Sequence, residues 1–220
     1  MQEFELLSLS HFLGFSICLA AIVFIPKAIQ SKPGLENFSK YLLVILLIEN
    51  QIRSTYIETW IKGGNLLENL PLHLCDFSAI VIAAFLLTGF RPLFIFAYFW
   101  GIAGAGMSIL TPDSEFAFPH YEYFATMYGH SLILLAVVFS IVNLGQRPYL
   151  RDIPKLILYS SILLVIMYGI NFILGANYWY LNERPYGDNI LSLMPEPPVH
   201  MFILYPVAIS VSYTHLTLPT

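Results

Sequence analysis

Charge is scarce in this chain. Only 11% of its 220 residues are Asp, Glu, Lys or Arg, and the net charge is a mild −4. Without a basic stripe there is no electrostatic footprint for nucleic acid. Cysteine is scarcer still: Cys18 and Cys75 fall in different apolar segments, which argues against a structural disulfide. The opening residues, Met1-Gln2-Glu3-Phe4-Glu5, lack the basic start of a secretory signal, so the first apolar stretch is expected to be a retained helix. The chain has no dinucleotide fingerprint, phosphate loop or HExxH motif. The fragment His73-x-Cys75 has no second ligand pair to match it, so neither a metal nor a cofactor is expected.

What is abundant is apolar sequence. Hydrophobic residues make up 57% of the chain, and the mean hydropathy of +0.70 lies outside the range of an ordinary soluble domain. The expected fold is all-α, a polytopic membrane bundle of seven transmembrane helices, with residues 1–210 as one integral membrane domain. Apolar runs and their breakers place the spans at Leu6–Ile25, Tyr41–Ile61, from Pro71 to Leu87, Leu93–Leu110, Tyr121–Val142 and Pro154–Leu174, with a seventh starting near Val199. The first is expected to end at Pro26, leaving Lys27–Lys40 as a connecting stretch.

Seven of the ten basic residues (Lys27, Lys32, Lys40, Arg91, Arg147, Arg151 and Lys155) fall in loops on one side, against Lys62 and Arg184 on the other. That bias predicts a cell-membrane protein with its N-terminus outside and its native C-terminus in the cytoplasm. The final string, Val211–Thr220 (VSYTHLTLPT), is similar to the translated read-through of a sequencing-library adapter and is expected to be non-native. The seventh helix would then break off after about 12 residues, too short to cross roughly 30 Å of hydrocarbon.

Polar residues within the spans are costly in lipid, which makes each a candidate for function. Glu49 and Arg53 are four apart with the acid first, the favourable order for an intrahelical pair. Their alternatives are a head-group contact and a purely structural lock. His73 and Asp76 are three apart and would share a helical face, so the carboxylate could orient the imidazole. Cys75 lies about 100° from Asp76 and 200° from His73, so a base for it must come from another helix. His130 is a candidate for that base, unless it is simply a core histidine. His200 is a weaker candidate, and Asp113 and Asn171 complete the expected pocket. The small residues Gly101, Ala103, Gly104, Ala105 and Gly106 point to close helix packing. The connection Asn177–Pro198 is expected to form an ordered lid, anchored at the membrane interface by Tyr178, Trp179 and Tyr180.

Three ordered motifs carry a resemblance. They are Leu70-Pro71-Leu72-His73-Leu74-Cys75; then Leu110-Thr111-Pro112-Asp113 with Phe118-Pro119-His120 and the later His130; then Gly175-Ala176-Asn177-Tyr178-Trp179-Tyr180-Leu181 with Pro185. Over roughly residues 10–210 the chain resembles the YwaF-like integral membrane family. A eukaryotic relative of that family is a transmembrane phospholipid acyltransferase dependent on a Cys and a His. By this resemblance Cys75 would be that Cys and His130 that His. Two functions stay open: a Cys/His-dependent lipid acyltransferase or acyl hydrolase acting on a phospholipid or other acyl substrate, and a non-enzymatic receptor or transporter for a lipid or small solute. Membrane lipids are the expected partners in both.

Overall fold

The computed structural model describes residues 3–112, 114–183, 194–197, 199–203, 206, 207 and 210. Among them the protein is all-helical, with seven α-helices. They are α1 (Leu9–Ile29), α2 (Pro33–Tyr56), α3 (Leu74–Thr88), α4 (Arg91–Trp100), α5 (Gly106–Leu110), α6 (Tyr121–Val142) and α7 (Ile153–Leu174). A π-helical stretch, Gly101–Ala105, joins α4 to α5, so Arg91–Leu110 runs on as a single 20-residue helix.

Four helices are long and apolar enough to cross a membrane: α1, Arg91–Leu110, α6 and Leu150–Leu174. This makes the chain a multi-pass membrane protein. The expectation of seven spans is met only in part. α3 is apolar but has 15 residues, short of the ~20 a perpendicular crossing needs. α2 has 24 residues but carries Glu36, Lys40, Glu49 and Arg53 along its length. Of the expected seventh helix, Met201–Ile203 form a helical turn, and much of the remainder lies outside the described residues. So do Asp113, half of the expected lid and the tail at 211–220.

The chain divides into two compact units, the first comprising Met1–Ile52 with Cys75–Arg147 and the second Arg53–Leu74 with Pro148–Thr220. In the first, α1 continues past Pro26 to Ile29 instead of stopping there. The helix carries there both the missing donor of the proline and the press of its ring on the carbonyl of Ile22. The proline's own carbonyl is well used: Gln30 N donates to Pro26 O at 3.1 Å and Asn143 Nδ2 does so at 3.2 Å, which closes the end of α1 onto the residue capping α6. The expected connecting stretch shrinks to Gln30–Lys32, because α2 starts at Pro33, where a fixed φ and no N–H suit the first helical turn. Glu36 Oε1 reaches back to accept from Ser31 N at 2.8 Å.

α1 packs along α6. Ile22, Ile109, Tyr123 and Met127 form a buried cluster, with Phe4, Phe15 and Cys18 against it. His11 is 4% exposed there. Leu7 N donates to its Nδ1 at 3.2 Å, so its Nε2 carries the proton and donates to Ile109 O at 3.3 Å. His11 is thus a satisfied core histidine. In the second unit, Asp152 Oδ2 accepts from Tyr149 N at 2.8 Å ahead of α7, and Gly175, with φ 65°, terminates that helix in the left-handed conformation that favours glycine.

Candidate functional site

Cys75 lies in the first turn of α3, followed by Asp76, whose carboxylate complements the positive end of the helix dipole. A Cβ placed on Gly104 would stand 3.5 Å from Cys75 Sγ. That is ordinary packing distance, so this part of the π-helical stretch lies directly against the sulfur. One turn on, the Ser108 hydroxyl donates to Gly104 O at 3.1 Å. π-Helical turns inside α-helices often occur at functional sites, and here the turn stands opposite the sulfur.

His130 lies on α6, with Nδ1 2.7 Å from Thr126 O. A carbonyl oxygen can only accept, so Nδ1 holds the ring proton and Nε2 keeps its lone pair in the neutral imidazole. The pairing along the two helices fixes the level of this ring. Gly101 faces Ile133, 3.1 Å from a Cβ placed there, and Val137 at 3.5 Å. Ile109 packs with Tyr123 and Met127. Arg91–Leu110 and α6 therefore run antiparallel, and Gly104, with Cys75 against it, falls at the level of His130.

Helix α2 reaches the same region through a residue the sequence reading did not select. A Cβ on Gly129 would come 2.9 Å from Asn50 Nδ2, so glycine there admits the Asn50 amide against α6. Gln51 is buried at 8% exposure, whereas Glu49, the residue expected to line the pocket, is exposed. Neighbours on a helix point about 100° apart, which is why Asn50 turns inward and Glu49 does not.

The other expected residues belong to the second unit. Arg53 sits in the last turn of α2. His73 stands immediately before α3, which starts at Leu74 and carries Asp76 in its first turn. Its ring packs against Tyr178 at 5.1 Å and Tyr180 at 5.5 Å. Burial lowers its pKa and keeps the imidazole neutral at pH 7. His200 is buried at 2% exposure.

Asn171 is occupied at both ends: its Oδ1 accepts from Tyr178 N at 2.8 Å, and its Nδ2 donates to Tyr178 O at 2.9 Å. Tyr178 in turn ties down the segment before α3. Its hydroxyl donates to Leu67 O at 2.7 Å and accepts from Leu70 N at 3.0 Å. Trp179 Nε1 donates to Leu72 O at 2.9 Å. Trp179 and Tyr180 adopt φ of 61° and 53°, a left-handed conformation costing roughly 1–3 kcal/mol per residue unless the surroundings impose it. These aromatics, expected as interfacial anchors, are a clamp on the segment Leu67–His73.

The sequence profile of the TMEM164 family matches residues 3–215. A protein of Treponema pallidum (strain Nichols), described as uncharacterized, is 27% identical over 179 residues, which cover 80% of this chain and 74% of that one. No solved structure matches.

Proposed function

Since this multi-pass membrane protein belongs to the TMEM164 family, we propose that it transfers acyl groups between lipids through a Cys75 thioester, with His130 as the proton carrier. The observation that carries this reading is the His130 tautomer. Donation of Nδ1–H to Thr126 O leaves Nε2 as an acceptor at the level of the cysteine.

The chemistry balances without a co-reactant. Cys75 Sγ attacks the ester carbonyl of a phospholipid, and the thiol proton passes to His130 Nε2. The C–S bond forms as the C–O bond breaks, and His130 returns the proton to the leaving glycerol oxygen, releasing a lysophospholipid. A second lipid hydroxyl, or water in a hydrolase, then attacks the thioester. His130 takes its proton and hands it to the departing sulfur.

Purified protein in nanodiscs containing a phospholipid with an alkyne-tagged acyl chain tests this. The parent acquires a hydroxylamine-labile tag on Cys75, whereas Cys75→Ala acquires none and loses transfer to added lysophospholipid. Tag-free binding of the same lipid by both proteins would favour the receptor or carrier reading.

The orientation belongs to this proposal and rests on the seven-to-two distribution of basic residues between alternate loops. Reporter fusions ending after Gln146 are expected to report cytoplasm, and those ending after Gly187 the outside. The reverse pattern overturns the orientation.

A further inference from the structure

Helix α7 buries Leu156, Met167 and Asn171 on one side. On the other, Tyr159, Ile162 and Ile166 are each 47–48% exposed, and Lys155 is exposed as well. The steps from Lys155 to Tyr159, Ile162 and Ile166 are four, three and four residues, so these side chains form one stripe along the helix. In a bilayer an apolar stripe of this kind meets acyl chains. What sets this one apart is the charge at its end.

Arg151, one turn ahead of Lys155, is also exposed, and its guanidinium lies over the Tyr149 ring, 4.9 Å from the centroid. The one acid between the two cations, Asp152, is buried and accepts from Tyr149 N at 2.8 Å. Its carboxylate is turned to the backbone, and the charge presented at the end of the stripe is that of Arg151 and Lys155.

We infer that these residues form a binding site for an anionic phospholipid, its phosphate between Arg151 and Lys155 and an acyl chain along Tyr159, Ile162 and Ile166. Lys155 to Ile166 spans about 16 Å at 1.5 Å per residue, close to half of a hydrocarbon core of roughly 30 Å. The guanidinium offers a planar fork to two phosphate oxygens, and the ammonium adds a point charge. Stacking on Tyr149 holds the fork in place, so less freedom is lost when the phosphate arrives. A second copy of the chain fits this face poorly, because a two-fold interface would set the same two cations against each other. The inference is independent of the acyl-transfer reading.

Native mass spectrometry of the detergent-solubilised full chain, titrated with phosphatidylglycerol or phosphatidylcholine of identical acyl chains, tests it. The parent is expected to prefer phosphatidylglycerol by about twenty-fivefold, each cation contributing about fivefold. Arg151→Gln and Lys155→Gln each lower the preference about fivefold, and the double variant abolishes it. Arg151→Lys and Lys155→Arg keep the charge and most of the preference. A phosphatidylglycerol with a diazirine in its acyl chain is expected to cross-link within residues 158–166. No preference in the parent overturns the inference, as does an undiminished preference in the double glutamine variant. Equal losses in the charge-keeping variants would trace the effect to packing and overturn it too. So would cross-linking confined to other helices, or cross-links that join the α7 helices of two chains.

Discussion

Replacing His130 with glutamine is expected to lower the rate of Cys75 acylation by about 10²–10⁴-fold, the usual contribution of a positioned general base. Glutamine is chosen because its amide can still donate to Thr126 O, the contact His130 makes at 2.7 Å, so the local backbone arrangement has a substitute partner. What the substitution removes is the lone pair at Nε2. His130→Ala removes the donor as well, and is expected to lose as much activity with some added loss of stability. The two effects separate in a thermal unfolding series: glutamine holds the melting temperature near the parent's, and alanine lowers it. A glutamine variant that acylates within about threefold of the parent would show that His130 carries no proton.

Asn171→Ala is expected to be the most damaging single change in the second unit. Its amide oxygen accepts from Tyr178 N at 2.8 Å and its amide nitrogen donates to Tyr178 O at 2.9 Å, and Tyr178 is 1% exposed. Alanine strands both backbone groups without a partner. At roughly 1–3 kcal/mol for each unsatisfied buried group, the loss is about 2–6 kcal/mol. It should spread, because Tyr178 holds Leu67 O and Leu70 N through its hydroxyl. Hydrogen exchange measured by mass spectrometry is expected to speed up across residues 67–72 as well as 176–180. Asn171→Asp keeps an acceptor for Tyr178 N but no donor for its carbonyl, and should fall between alanine and the parent. Unchanged protection at 67–72 in the alanine variant would mean that the clamp does not depend on Asn171.

The sequence by itself determined the class of this protein and the helices whose ends are punctuated locally. α6 occupies Tyr121–Val142 as expected, and α7 starts one residue before the expected Pro154 and ends at Leu174 as expected. Long apolar runs bounded by Pro and Gly are local signals, readable within one or two turns. Membership of an integral membrane family was legible from motifs in the same way, and so were Cys75 and His130 as residues worth locating. What the tertiary structure alone decided depends on partners far away in sequence. Pro26 does not end α1, because Asn143, 117 residues later, helps close that end. Asn50 rather than Glu49 meets α6, because Gly129 leaves space for it. Asn171 holds the Tyr178 backbone, and Tyr178 and Trp179 clamp a segment more than 100 residues upstream. Periodicity tells which residues form a helix. Which polar side chain on that helix finds a partner is set by the neighbour it packs against, because a buried polar group is tolerated only where another chain segment supplies its hydrogen bond.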